Sequence, residues 1–147
     1  MAFTKEYAAK VILSLDGVRK TERAQREIYD KGIVSPTDSS TLADALSASA
    51  TILGLVFLKS TAVGLATAVL GIVTDLIPNE KEILKEMVYD GYWHLGYLED
   101  FLVDNPNFDL LEVNFPFIEY ETAGVRFITG NGVVTRVHSK SGGWQIL

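Results

Sequence analysis

His94 and His138 are the two histidines of this sequence, and imidazole is the side chain that most readily ligates metals or moves protons near neutral pH. His94 follows Trp93, with Glu99 and Asp100 five and six residues further on. A metal pair on a helix needs ligands about four residues apart on one face, so this spacing does not make one. His138 ends the β-branched run Val133 to Val137 and has no acid beside it in sequence. Both read as surface histidines. The acids Glu99, Asp100, Asp104, Asp109 and Glu112 lack the alternating ligands, central glycine and terminal glutamate of a calcium loop, and read as a solvated acidic face. Gly130-Asn131-Gly132 lacks the third glycine and following helix of a dinucleotide fingerprint, and reads as a hairpin turn. The serines between Ser35 and Ser49 sit in no nucleophile elbow. With no cysteine, thiolate chemistry and disulfides are excluded. The expectation is therefore a protein that is not an enzyme, with no catalytic, cofactor-binding or metal residues.

The bulk composition narrows the partners. A chain of 147 residues suits one cooperative unit with a single core. A net charge of -6 disfavours nucleic acid, whose recognition starts from a cationic surface. The charge is uneven: residues 1–31 carry +2, residues 32–74 carry -1, residues 75–121 carry -10 and residues 122–147 carry +3. The first twenty residues lack the long apolar run and small-residue site of a secretory signal.

The elements follow from spacing. Residues 4 to 31 read as helix, with Tyr7, Val11, Leu15 and Val18 on one stripe, a kink at Asp16-Gly17 and a polar surface segment beyond it whose apolar seam is Ala24 and Ile28. Gly32 ends it, and a new helix begins between Thr37 and Thr41. From 80 to 103 the positions Leu84, Met87, Gly91, Leu95, Leu98 and Leu102 describe an amphipathic helix flanked by an aromatic row, Tyr89, Trp93 and Tyr97. From about 110 to 147 the period becomes two, predicting an antiparallel meander in which Tyr120 opposes Phe127 and Glu121 opposes Arg126. The fold class is α+β, with a helical region over 1–104 and the meander over 108–147.

Between helix and sheet lies the least ordinary segment, residues 42–77, whose only charges are Asp44, Lys59 and Asp75. Lys59-Ser60-Thr61 divides it into two arms, an apolar helical hairpin without a polar side. Each arm carries small residues on one stripe: Ala43, Ser47, Ala50 and Gly54 on the first, Gly64, Ala68 and Gly71 on the second. Such stripes suit close helix–helix association, as in lipid. An arm of this size spans roughly 25 Å, a little less than the ~30 Å hydrocarbon thickness. Helices apolar all round need a large core, a bilayer or another subunit, and this chain offers little cover. The expectation is a self-associating, membrane-associated protein, pore-forming or lysis-like, with its basic N-terminal arm on the cytoplasmic side and Tyr89, Trp93 and Tyr97 at the membrane interface. Its partners would be lipid and further copies, with no nucleic acid. The alternative is a structural subunit of a phage particle or other large assembly that buries the hairpin between subunits. The plan of an apolar hairpin flanked by amphipathic helices is similar to the hydrophobic hairpins of colicin-type pore formers and of small phage lysis proteins. The meander is foreign to both, and no residue roles are carried over.

Overall fold

The computed structural model describes residues 3–147. Its first element is a strand, β1 (Thr4–Leu13), where the spacing suggested helix. Tyr7, Ala9, Val11 and Leu13 alternate as well as Tyr7, Val11, Leu15 and Val18 repeat by turns, and pairing decided between the two periods. All ten residues of β1 lie antiparallel along β2 (Phe108–Tyr120), from Thr4 opposite Tyr120 to Leu13 opposite Leu111. Ser14 then caps α1 (Leu15–Glu27), its Oγ accepting the Gly17 N–H at 3.0 Å. The helix does not stop at Gly32: it widens into π-helical turns over Ile28–Val34, where the Ser35 N–H reaches back to the Asp30 carbonyl. Gly32 is needed there because a Cβ would lie 2.8 Å from Val69.

The apolar segment is a helical hairpin, as spacing implied, with bends. α2 (Ser39–Leu46) starts at Asp38, whose Oδ1 accepts the Thr41 N–H, and one 3-10 turn (Ser47–Ser49) links it to α3 (Ala50–Phe57). Leu58, at φ 69°, ends that arm in the left-handed region. Thr61 caps the second arm, α4 (Ala62–Asp75). The cover judged too small is sufficient for the largest side chains: Leu42, Leu46, Leu53, Val56, Phe57, Leu65 and Val69 all lie in the core of the single chain. α1, the π-helical turns and the sheet supply it. The hairpin also has an outward side, made of Thr41, Asp44, Ser47 and Thr51 on one arm and Thr67, Thr74 and Asp75 on the other. Small and hydroxyl residues outnumber its two charges, and Leu55 and Val63 are exposed beside them, so the side is only weakly polar. Ser47 and Thr74 donate to carbonyls of their own helices, so their hydroxyls cost little in either setting.

α5 (Pro78–Asp104) begins with proline in its first turn and the Glu80 carboxylate accepting the Ile77 N–H. It buries Leu84, Val88, Gly91, Leu95, Leu98 and Leu102, close to the expected stripe. Beyond it β2 forms the spine of a five-stranded antiparallel sheet, with β3 (Val125–Ile128) and β4 (Val133–Ser139) both on the side opposite β1 and β5 (Gly143–Ile146) outside β4. Two details differ from the expected meander. Tyr120 opposes Val125 and Glu119 opposes Arg126, a shift of two residues, because the turn occupies all of Glu121 to Gly124 with Gly124 at φ 67°. Gly130-Asn131-Gly132 is no hairpin: β3 and β4 run in one direction along β2, and the segment bulges out between them. Pro116, in the facing part of β2, has no N–H to give the ladder, and its carbonyl accepts the Thr129 N–H as β3 ends.

Candidate functional site

The small residues assigned to helix contact do not share one environment. Of the seven, Ala43 is buried, Gly64 and Ala68 are half-buried, and Ser47, Ala50, Gly54 and Gly71 are exposed. Gly54 lies against the Ser60 backbone in the turn, whereas a Cβ on Gly71 would meet nothing within 4 Å. Ala68 and Gly71 instead line one wall of a groove of about 440 Å³, with Phe3, Ile72, Tyr120 and Ala123 around it. Burial pushes the Tyr120 phenol at its edge up to about 12.

The histidines separate. His94 turns back onto its own helix, Nδ1 lying 2.8 Å from the Asp90 carbonyl. His138 gains an acidic neighbour that sequence distance concealed, Asp109, 2.5 Å from its Nδ1 across the β2–β4 pair. That bond holds the Asp109 carboxyl below its ordinary value. Trp144 packs edge-on against His138 and Arg136 lies over the same indole, with Arg136 also bonded to Glu112. The five acids therefore disperse: Asp109 and Glu112 belong to the sheet, while Glu99, Asp100 and Asp104 belong to α5. Among the described residues no three His, Asp or Glu side chains gather at metal-binding distances.

The strongest concentration of chemistry lies where α1 runs antiparallel to α5. α1 buries Gly17, Val18, Thr21, Ala24 and Gln25, turning Arg19, Arg23 and Arg26 outward, with Glu22 at the seam. On α5 the residues beside the buried stripe are Tyr92 and Glu99, then the aromatic row. Arg19 Nε donates to Glu99 Oε2 at 2.8 Å. Together Arg19, Glu22, Arg23, Arg26, Glu27, Tyr92 and Glu99 line a groove of about 460 Å³. A smaller hollow of about 200 Å³ adjoins it, walled by Glu22, Tyr92, Trp93, Gly96, Tyr97 and Asp100. Trp93 and Tyr97 of the aromatic row are among its walls. Tyr89, Trp93 and Tyr97 are 42%, 55% and 57% exposed, far beyond what packing on the sheet would leave. Tyr29 and Tyr89 sit 5.3 Å apart, and Tyr89 stacks near-parallel on Trp93.

Glu22 is the titrating group of this site. Burial, then a hydrogen bond and charge from Glu99, then the charge of Asp100, raise its carboxyl from 4.5 to about 7, with Arg19 pulling the other way. Glu99 moves down, because Arg19 and Glu22 both hydrogen-bond to its ionised form. The pair thus shares one proton that resides on Glu22. Since the unfolded chain loses this proton near 4.5 and the folded chain holds it to about 7, stability contributed by Glu22 falls as pH rises between those values and is flat above. Urea midpoints measured across that window should decline, and Glu22→Gln should flatten the decline. An unchanged slope in the variant would place the titration elsewhere. A carboxyl ionising near neutrality serves proton transfer or recognition of a cation.

Sequence reasoning missed Glu22 and Arg23, which lie in a run read only as a solvated helix face, and Gln25, which is fully buried. Gln25 Oε1 accepts the Ile128 N–H at 2.9 Å while its Nε2 donates to Val88 and Ile128 carbonyls. The one available signal was its 4-3 spacing with Thr21 and Ile28. No protein-family model, curated protein or solved structure matches the chain.

Proposed function

We propose that this chain is a non-enzymatic, self-associating subunit of a larger assembly, with the α1/α5 face as its contact surface. The supporting observation is the aromatic row Tyr89, Trp93 and Tyr97, exposed on one helix face, with Trp93 and Tyr97 walling the smaller hollow. Large aromatic side chains bury much area with few rotors, so they anchor protein interfaces, and a single-chain surface seldom leaves three in a line. Most of the hairpin's large side chains already fill the chain's own core, with Leu55, Leu58 and Val63 left outside, whereas α5 exposes aromatic bulk in a row.

Light scattering on the eluting protein should give a mass of two or more chains, and Trp93→Ser with Tyr97→Ser should lower it without changing the circular dichroism. Unchanged mass in that variant would remove the aromatic row from the contact. Insertion of the hairpin into a bilayer is the second reading, favoured by Ser39–Phe57, a stretch of 19 residues long and apolar enough to cross a membrane by length and composition. Core helices of soluble proteins pass the same test, and insertion would require Leu42, Leu46 and Phe57 to leave the packing they have. Flotation with lipid after an alkaline carbonate wash would support the second reading; recovery in the aqueous fraction supports the first.

A further inference from the structure

Some charges of the α1/α5 face are matched within the chain and others are not, and two of the unmatched ones lie side by side. Arg19 is held by Glu99 and Arg26 lies 3.6 Å from Asp30. Among the described residues Arg23, on the same face, makes no ion pair, and neither does Asp100 at the adjoining hollow. That hollow has aromatic walls in Tyr92, Trp93 and Tyr97, two carboxyl groups in Glu22 and Asp100, and no basic lining residue. A Cβ on Gly96 would meet nothing within 4 Å, so its floor is open. The Glu22 Oε2 atom is shielded from solvent and accepts no hydrogen bond. Aromatic faces beside carboxylates are the surroundings a guanidinium favours, since it stacks on rings and forks onto carboxylate oxygens at once.

One chain therefore carries, side by side on one surface, an arginine lacking a partner and a hollow of complementary charge. A two-fold axis across such a surface sets each arginine against the other copy's hollow, so every contact forms twice. We propose that two copies pair through their α1/α5 faces, with Arg23 of each entering the hollow formed by Glu22, Trp93, Tyr97 and Asp100 of the other. The inference rests on the self-association proposed above and names its contact. Arrival of the guanidinium favours ionised Glu22, so association releases the proton that Glu22 shares with Glu99. The charged and titratable groups facing Glu22 are Arg19, Arg23, Arg26 and Glu27 from α1 and Tyr92, Glu99 and Asp100 from α5.

Sedimentation equilibrium on the full chain tests this with a charge exchange. Arg23→Glu and Asp100→Arg should each weaken the dimer by about tenfold or more, and the two together should restore it to within about threefold of wild type. Both sites are exposed, so circular dichroism of each variant should match wild type. With the Glu22 carboxyl at about 7, its ionised share climbs from roughly one-tenth at pH 6 to nine-tenths at pH 8, tightening the dimer by about tenfold per hollow. Glu22→Gln should abolish that dependence. A dimer indifferent to Arg23→Glu, or a double variant no better than its parents, would overturn this contact while leaving self-association standing. A wild-type chain that stays monomeric at millimolar concentration and pH 8 would overturn both.

Discussion

Gly91→Ala should cost more than about 3 kcal/mol, the largest loss expected of any single methyl group in the chain. A Cβ at Gly91 would lie 2.1 Å from the Ile128 carbonyl oxygen and 2.7 Å from its carbon. Both are backbone atoms of β3, so no side chain can swing aside. The Gln25 amide also occupies the gap: a Cβ would come within 2.9 Å of Nε2, the atom that donates to the Val88 and Ile128 carbonyls. Relief requires α5 to withdraw from β3, which pulls the Val88 carbonyl off the Gln25 amide and opens a gap between helix and sheet. Gly96, one and a half turns along the same helix, is the control. With nothing within 4 Å of its Cβ position, Gly96→Ala should raise stability by about 0.5–1 kcal/mol through helix propensity alone. Urea unfolding of the two variants measures both effects. A Gly91→Ala midpoint within error of wild type would mean that α5 does not cross β3 at this residue.

Arg126→Met should cost about 2–4 kcal/mol, because a buried cation there completes the end of a helix. Arg126 is 8% exposed. Its Nε donates to the Val56 carbonyl at 2.8 Å and Nη2 to the Leu55 carbonyl at 3.1 Å, both in the last turn of α3. Those carbonyls are the negative end of the helix dipole, and the left-handed Leu58 stops the chain from continuing to satisfy them. Nη1 donates to the Tyr7 hydroxyl, which donates in turn to Glu119, and the guanidinium lies 3.8 Å above the Phe117 ring. β1, β2, β3 and the hairpin thus meet on one side chain. Methionine fills the volume and supplies none of the donors. Arg126→Lys should recover less than half of the loss, since an ammonium cannot reach two carbonyls and a hydroxyl while stacking on a ring. Hydrogen exchange should show amides 50–62 opening faster in Arg126→Met than those of α5. Full stability in Arg126→Lys would reduce the role to charge alone.

These two positions show how far a single sequence reaches. Gly91 was legible as part of the amphipathic stripe, because its spacing from Leu84, Leu95 and Leu98 marks the buried face of a helix. That its missing side chain admits a strand was not legible, because the strand comes from residues 125–128 and nothing local points to it. Arg126 was read as a cross-strand partner of an acid. The pairing is real but with Glu119, after a turn two residues wider, and the contact that matters more is with the end of α3.

By itself the sequence determined the content of the fold: an α+β chain, the break near residues 58–61 in an apolar hairpin, a long amphipathic helix after Pro78, and antiparallel strands beyond Phe108. Each follows from properties local to a few turns or a few residue pairs, namely apolar period, capping side chains, and proline or glycine at a boundary. Tertiary structure alone decided the rest. It made residues 4–13 a strand, because β2 offered ten pairing partners to a segment whose apolar residues suited either period. It turned the small residues of the hairpin mostly outward, because Leu42, Leu46, Leu65 and Val69 bury more apolar area than alanine or glycine, and only one face of each arm can meet the core. It brought Glu22 to Glu99 and His138 to Asp109. Period and propensity record which face of an element is buried; they carry no information about which distant element buries it, and the candidate site is made of such distant pairs.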